Sequence, residues 1–207
     1  MAGSTLGKAG RPRIGLGRFR AATDGVAAVE FALVLPIMVT LLLGMSEVTH
    51  AVNVDRKLTL LSRSLADLSS RDRELTGAQV NDIFRAASVI MQPYDASKLQ
   101  MTITSMSVQM PSANTYTAKP LWSCARGTGA QTRPTTTTYT DVPLGFRNAT
   151  GTTESTMSYY MQIDVKLPYS PMFGKALTGT INLTENTPWP VRVDRGVKLT
   201  DSCPAST

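Results

Sequence analysis

The stretch Gly25–Met45, GVAAVEFALVLPIMVTLLLGM, decides the architecture predicted for this chain of 207 residues. It is apolar apart from Glu30, and no charge occurs from Phe31 to Ser46. A helix needs about 20 apolar residues to cross the hydrocarbon core, a length reached by counting from Val26. The stretch therefore predicts a transmembrane helix. Its one carboxylate costs roughly 2.5–3.5 kcal/mol in the apolar layer and so needs a partner.

Gly25 and the residues after it, Val26-Ala27-Ala28-Val29-Glu30-Phe31, resemble the processing site of type IV prepilins. More specifically, the sequence VAAVEFALVLP resembles that of the TadE/TadG-like minor pilins, or pseudopilins, of tight-adherence (Tad, or Flp-type) pilus systems. The resemblance covers about residues 20–70. Phe31 departs from the tyrosine that the major Flp pilins carry after the glutamate. This departure and the length of 207 residues favour a minor subunit over the major pilin.

The resemblance implies a role for three residues of this stretch. A prepilin peptidase is expected to cut between Gly25 and Val26 on the cytoplasmic side of the membrane. Glu30 is then expected to pair with the new N-terminal amine of a neighbouring subunit in the assembled fibre. This pairing agrees with physical chemistry, because a buried carboxylate is tolerated when an opposite charge meets it.

The segment before the apolar stretch is basic. It carries five basic residues, Lys8, Arg11, Arg13, Arg18 and Arg20, against Asp24 alone, so much of the net charge of +6 belongs to it. A short basic segment beside an apolar span is a topology signal, and no nucleic-acid binding is inferred from it. We therefore predict a cytoplasmic leader at 1–25 and a transmembrane helix at 26–49. Residues 50–207 are then on the periplasmic side of a bacterial inner membrane.

Three fates of the leader are compatible with the sequence. The favoured one is prepilin processing after Gly25, and the second is retention as a permanent signal anchor. The third is cleavage by signal peptidase near Gly44-Met45-Ser46, a passable small-x-small site. The twin-arginine route is disfavoured because the leader contains no Arg-Arg pair.

An apolar seam continues beyond the predicted membrane span. Its members recur at intervals of three or four, an a/d-type pattern typical of helix packing. They are Ala51, Val54, Leu58, Leu61, Leu65 and Leu68. The pattern predicts that residues 50–75 continue the helix outside the membrane, to about Ser70. Two interpretations stay open: packing on the chain's own globular head, which we favour, and packing between subunits in a bundle or fibre.

Residues 76–207 are predicted to form an α+β head. Thr76-Gly77-Ala78-Gln79 reads as a capping box that opens a second helix, which Pro93 ends. The first predicted strand has apolar residues at alternate positions, which shift by one position part-way along it. A bulge near Thr104–Ser105 is predicted to bring both sets to the same face of the sheet. The two sets are Leu99, Met101 and Ile103, and Met106, Val108 and Met110. The fold class is thus a long N-terminal transmembrane helix that extends into a periplasmic head with a second helix and a small antiparallel β-sheet.

Three more strands complete the predicted sheet. Lys119–Arg126 forms the second. Met157–Leu167 forms the third, with its odd-numbered residues on the core face and Tyr160, Gln162, Asp164 and Lys166 opposite. Ile181–Leu183 begins the fourth, which the two prolines at 188 and 190 interrupt and place at an edge of the sheet, with a resumption at Val191–Val193 left open.

Between the second and third strands lies a polar segment, 127–155, rich in threonine and glycine. It has few large apolar residues, so it is predicted to be an exposed loop. The two cysteines, Cys124 and Cys203, both belong to the periplasmic side of the predicted topology. An oxidising compartment makes a disulfide between them the natural interpretation, with two free thiols as the alternative.

No catalytic arrangement is found. His50, the one histidine, is read as a polar residue where the helix leaves the bilayer, and Asp164 and Lys166 as ordinary surface charges. The sequence contains no P-loop, dinucleotide-binding glycine pattern or metal-ligand cluster. We expect no enzymatic activity, no cofactor, no metal, no nucleic acid and no small-molecule substrate.

Two functions of different class remain. The favoured one is a minor pilin or pseudopilin that takes part in assembly of a Tad pilus used for surface adhesion and biofilm formation. Its expected partners are the prepilin peptidase, other pilins, Tad assembly components in the inner membrane, and membrane lipid. The second is an uncleaved, single-pass, membrane-anchored periplasmic binding or scaffold protein. Cleavage after Gly25 distinguishes the two.

Overall fold

The computed structural model describes residues 25–172, 179–193 and 195–205. The predicted leader lies outside them up to residue 24. The chain divides into two compact units, Met1–Met45 and Ser46–Thr207. In chain order the elements are α1 (Val26–Ser69), β1 (Glu74–Leu75), α2 (Gly77–Ile90), β2 (Gln100–Ser112), β3 (Thr115–Arg126), a 3₁₀ helix (Leu144–Phe146), β4 (Ser158–Tyr169), β5 (Ile181–Pro190) and β6 (Lys198–Leu199). The predicted α+β class, with a long N-terminal helix, a second helix and a small antiparallel sheet, is confirmed.

Helix α1 begins at Val26 and ends at Ser69, one residue before the predicted end. Pro36 lies inside it, where its ring removes one backbone N–H from the helical ladder. The Thr40 hydroxyl donates to the Pro36 carbonyl at 2.7 Å, a side-chain bond that gives this part of the backbone an additional donor. The helix nevertheless continues through Pro36 to Ser69.

The main sheet has four antiparallel strands in the order β3-β2-β4-β5. β5 is an edge strand, as its prolines predict, but it runs without interruption from Ile181 through Pro188 to Pro190. The predicted break at these prolines is therefore wrong, and no strand is assigned at Val191–Val193. An edge strand accommodates proline because the missing N–H is not needed by a neighbour on the open side.

The predicted bulge in β2 is also wrong. β2 pairs with β4 in one continuous register from Gln100 to Val108, and the register shift between Ser105 and Met106 comes from β3, where Leu121 is the extra residue. A second shift lies further along β2, between Gln109 and Ser112. Because β2 keeps its alternation, Ile103 and Met106 point to opposite faces of the sheet. The shift of the apolar residues of β2 by one position therefore corresponds to a change in the face of the sheet that they occupy.

The first hydrophobic core lies between the two helices and one face of the sheet, which we call the helix-covered face. Within it the seam residues Val54, Leu58, Leu61 and Leu65 of α1 are at most 2% exposed. Ala51 and Leu68, at the ends of the seam, are half-buried. The other buried side chains come from α2 (Val80, Ile83, Phe84, Ala87) and the sheet (Met101, Ile103, Trp122, Cys124, Met161, Ile163, Val165, Leu167). This part of the seam therefore packs on the chain's own head.

The second core covers the opposite face of the sheet, which we call the loop-covered face. Its buried members are Met106, Val108, Ala118, Val142, Ala149 and Tyr160. Val142 and Ala149 belong to the segment 127–155, so the prediction of a wholly exposed loop needs correction. The threonine run at 135–138 is exposed as expected, but the segment is anchored on the sheet by buried apolar side chains. Tyr160 was predicted on the polar face of the sheet. It is buried on the loop-covered face because it packs in the same cluster as Val142 and Ala149.

Helix α2 is fixed at its start by the predicted capping box. The Thr76 hydroxyl accepts from the Gln79 backbone N–H, and the Gln79 side-chain oxygen accepts from the Thr76 N–H. The C-terminal strand lies against this end, where the Thr200 N–H donates to the Leu75 carbonyl at 3.0 Å. A Cβ added to Gly77 would meet the Ser202 carbonyl oxygen at 2.3 Å, so the close approach of the tail requires glycine at 77.

Candidate functional site

The first candidate site is the start of α1. Gly25 and Val26 are exposed, and a Cβ built on Gly25 meets no atom within 4 Å. No positive φ occurs at Gly25 either, so the described structure supplies no steric or conformational reason for a glycine at this position.

The apolar side chains after Gly25 have no cover within the described residues. Phe31, Leu33, Leu41 and Leu42 are between 61% and 69% exposed, and none of the most apolar window of α1 is buried. A contiguous apolar surface of this size is unstable in water and marks contact with a membrane or with other chains. By length and composition α1 is long and apolar enough to cross a membrane, which is compatible with a single-pass anchor.

Glu30 lies on this exposed apolar part of α1. Within the described residues its carboxylate makes no hydrogen bond and no ion pair, and its side chain is exposed. An ionised carboxylate among apolar residues needs an opposite charge or several donors once it leaves water. In the part of the chain that the structure describes, neither is offered.

Comparison with known proteins identifies this part of the chain. Residues 25–67 match the family model described as TadE-like protein. This segment, which we call the TadE-like segment, is similar to that family. No curated protein and no solved structure matches the chain.

The TadE-like segment begins at Gly25 and continues to residue 67, so it covers both the exposed and the buried parts of α1. The head beyond α1, including the whole sheet, lies outside the match. The match includes the sequence VAAVEFALVLP and therefore supports the resemblance that was based on it. The head has to be interpreted from its own contacts.

A second group of functional side chains surrounds His50 in the second unit. The Tyr169 hydroxyl donates to Glu47 Oε1 at 2.6 Å, and His50 Nδ1 lies 3.0 Å from the same hydroxyl. Because a phenol has one hydrogen, which Glu47 receives, His50 must donate to the Tyr169 oxygen through Nδ1–H. The His50 ring also contacts Tyr94 edge-on at 5.3 Å and stacks with Tyr169 at 5.9 Å.

Burial, together with the hydrogen bond to Glu47, raises the pKa of Tyr169 to about 12, so its hydroxyl keeps its proton. The sequence analysis placed His50 correctly on α1 but missed the residues around it. One feature of the sequence could have drawn attention to these tyrosines: each follows a proline, in Pro93-Tyr94 and Pro168-Tyr169. Nothing in that pattern, however, shows that the turn after α2 and the end of β4 meet at the same histidine.

A polar network on the loop-covered face was also missed. Arg133, from the segment 127–155, donates to both carboxylate oxygens of Asp164 at 2.8 and 3.0 Å. Its guanidinium lies 5.2 Å from the centre of the Tyr139 ring, and its backbone N–H donates to the Ser123 hydroxyl at 2.9 Å. Asp164 is therefore not an ordinary surface charge, because it ties the loop to the sheet.

The structure contains a bond between Cys124 and Cys203, with a Cα–Cα distance of 5.4 Å. It joins β3 to the segment after β6 across 79 positions of sequence, next to the Trp122 indole N–H, which donates to the Val197 carbonyl at 2.7 Å. In the part of the chain that the structure describes, no group of three or more His, Cys, Asp or Glu residues is placed to hold a metal ion.

Proposed function

We propose that the chain is a minor pilin, or pseudopilin, that takes part in assembly of a Tad pilus used for surface adhesion and biofilm formation. The observation that carries the proposal is the TadE-like match beginning at Gly25. It coincides with a glycine that the described fold does not require and with an exposed apolar helix that no described part of the chain covers. Together these features are what a processed subunit that assembles through its N-terminal helix needs.

In this proposal a prepilin peptidase cuts between Gly25 and Val26, and the new amine of one subunit pairs with Glu30 of its neighbour. Glu30 is available for this role because its carboxylate has no partner among the described residues. The pairing would neutralise two charges in an apolar environment, where either charge alone is costly. It would also fix the register between adjacent helices, since only one alignment brings the charges together.

The proposed location is the bacterial inner membrane, with the N-terminus in the cytoplasm and the head in the periplasm before assembly. The five basic residues of the leader support this orientation through the positive-inside rule. The Cys124–Cys203 bond supports it independently, because disulfides persist in oxidising compartments such as the periplasm.

Processing is tested by intact mass and N-terminal sequencing of the chain from bacterial membranes, with and without the prepilin peptidase. We expect a chain that starts at Val26 only when the peptidase is present, and a full-length chain for Gly25→Val. Gly44→Val is the matched control, because Gly44 also lies in the apolar stretch and a Cβ there meets nothing within 4 Å. It should be processed normally.

Other start sites would each support a different protein. A wild-type chain that keeps its leader in the presence of the peptidase would favour the membrane-anchored scaffold. A chain that starts near Glu47 would indicate signal peptidase and a secreted protein. Equal processing of Gly25→Val and Gly44→Val would contradict recognition of Gly25.

The role of Glu30 is tested separately from cleavage. Glu30→Gln keeps the shape of the side chain and removes its charge, so we expect normal membrane insertion and cleavage but strongly reduced pilus assembly. Glu30→Asp keeps the charge on a shorter side chain and should assemble better than Glu30→Gln. Pili sheared from the cell surface and quantified give the readout. Wild-type levels of pili with Glu30→Gln would remove the charge-pairing role.

A further inference from the structure

A cleft of about 210 Å³ opens in the head beside α2, where the segment before β2 and the paired ends of β2 and β3 meet that helix. Every residue that lines it belongs to the second unit. Four apolar side chains of the lining are between 1% and 5% exposed, so they form its floor: Phe84, Ala87, Leu99 and Met101. The bottom of the cleft is therefore apolar.

Two guanidinium groups line the same cleft. Arg126, at the end of β3, is half-buried, and Arg85, on α2, is exposed. Arg126 Nη1 donates to Asn81 Oδ1, a neutral partner. Within the described residues neither guanidinium makes an ion pair, so most of their N–H donors remain available. A half-buried guanidinium has lost part of its hydration, and an anion at its free donors would restore charge-assisted hydrogen bonds.

The acidic residues of the surrounding elements do not occupy these arginines. Asp82, the one carboxylate of α2, does not line the cleft. Asp95, in the segment before β2, accepts from the Ser97 backbone N–H and hydroxyl, each at 2.8 Å, and it also interacts with the positive charge of Lys98. Strands β2 and β3 contain no acidic residue. Among the described residues, the lining thus carries two positive charges and no carboxylate.

Parts of the lining are fixed before any ligand arrives. Gly127 has a φ of +104°, and a Cβ there would meet the Leu99 carbonyl oxygen at 2.0 Å, so this wall of the cleft requires glycine. The bond from Arg126 to Asn81 holds the half-buried guanidinium against α2. Groups that are already ordered lose little conformational entropy on binding. The cleft is therefore largely preformed.

The size and composition of the cleft restrict its ligand. A water molecule occupies about 30 Å³ of the liquid, so the cleft has room for about seven non-hydrogen atoms. Guanidinium groups bind both carboxylates and phosphates. A phosphate alone would leave the apolar floor uncovered, whereas a carboxylate attached to about four aliphatic carbons would contact both the floor and the arginines.

We infer that the cleft binds a carboxylate carried on a short aliphatic group, with the carboxylate at Arg85 and Arg126 and the aliphatic carbons on the floor. Two sources supply this chemistry: a free short-chain acid, and the C-terminal residue of a polypeptide. The site requires neither the processing nor the membrane anchoring proposed for the chain, because all of its residues lie in the second unit.

Met101 provides a reporter inside the cleft. Its side chain belongs to the floor, whereas Met161 lies in the same core and does not line the cleft. Full-length chain with isotope-labelled methionine methyl groups is held in neutral dodecyl maltoside micelles at pH 7, and Met101→Leu and Met161→Leu assign the two resonances. With isovalerate we expect a saturable shift of the Met101 resonance and none at Met161. The uncharged isovaleramide should cause little shift at equal concentration.

Two peptides distinguish the sources of the carboxylate. Acetyl-Gly-Gly-Val with a free C-terminal carboxylate is compared with the same peptide as its C-terminal amide. A response to the free acid of the peptide would support the site and assign it to a polypeptide end. A response to isovalerate but to neither peptide would support the site and assign it to a free acid. No response of Met101 to either carboxylate, equal responses to isovalerate and isovaleramide, or saturation by inorganic phosphate at the same concentration would overturn the inference.

Variants test the two arginines. Arg85→Gln should weaken isovalerate binding about threefold, the effect of one exposed charge. Arg126→Gln should weaken it about tenfold, because the half-buried guanidinium makes the stronger hydrogen bonds. Arg63→Gln is the matched control, because Arg63 is also an exposed helical arginine and does not line the cleft. It should bind as the wild type does. Unchanged binding by Arg85→Gln, or an equal loss in Arg63→Gln, would overturn the inference even if Arg126→Gln failed to fold.

Discussion

In α1, the large apolar side chains between Val26 and Met45 are exposed except for half-buried Leu43, whereas Val54, Leu58, Leu61 and Leu65 in the same helix are at most 2% exposed. Composition alone does not explain the difference, since both stretches are rich in leucine and valine. The second stretch finds its cover in the chain's own head, and the first finds none among the described residues. The buried stretch therefore contributes to folding, and the exposed stretch is available to lipid and to other chains.

This contrast has a consequence for mutations. A substitution in the buried stretch should change the stability of the head. A substitution in the exposed stretch, such as Glu30→Gln, should leave that stability unchanged and act on processing or assembly. The TadE-like match spans both stretches, so it cannot by itself separate the two roles.

The largest effect is expected from Leu61→Ala. Leu61 is fully buried in the first core, so truncation removes apolar contacts and leaves a cavity, which costs about 2–5 kcal/mol of unfolding free energy. Its neighbour Leu60 is 55% exposed, and Leu60→Ala should change stability by less than about 0.5 kcal/mol. Urea unfolding of the full chain in micelles, followed by tryptophan fluorescence, measures both. Similar losses in the two variants would contradict packing of this stretch on its own head.

A smaller effect is expected on the loop-covered face, from Arg133→Gln. This change breaks a two-point ion pair with Asp164 in which both side chains are less than a third exposed, and we expect a loss of about 1 kcal/mol. Arg195→Gln is the control, because its pair with Glu154 is more than half exposed on both sides and should contribute almost nothing. The same unfolding assay compares them. Equal effects would mean that the loop is not tied to the sheet through Arg133.

The helices and most strands could be predicted because their signals are local. The apolar run, the seam and the capping box at Thr76 each occupy a few consecutive turns, and each is observed where the sequence indicates. The phase change between Ile103 and Met106 was equally visible, but it was assigned to a bulge. Its true cause is the second core, on the other face of the sheet. This core includes Val142 and Ala149, which belong to a segment with a mostly polar sequence.

The contacts around His50 could not be predicted for a different reason. Glu47 and Tyr169 are 122 positions apart, and the Arg133–Asp164 pair joins a loop to a strand that comes later in the chain. Periodicity shows which side of an element is buried but not which distant residue covers it. Gly25 and Glu30 were predicted as site residues because their spacing is short and resembles a known processing site, a signal that does not depend on the fold of the head, and their roles stay predictions.

The smallest expected effect is at Asp67, near the end of the buried stretch of α1. Hydrogen bonding from Arg71 and the nearby charge of Arg192 hold the pKa of this carboxylate below its ordinary value of 3.8. Because the folded pKa is the lower one, the contribution is complete above the unfolded value and is lost as pH falls through the folded pKa. Asp67→Asn should therefore slightly lower the urea midpoint at pH 6, and its difference from the wild type should shrink as the pH falls below 3.8 through the lower pKa of the folded chain. Both ion pairs are solvent-exposed, so raising the salt concentration should shrink the difference. A difference that does not shrink as the pH is lowered below 3.8 would show that the substituted amide disturbs packing of the helix end, and the comparison between the two stretches would then have to include Asp67 among the residues that hold the head together.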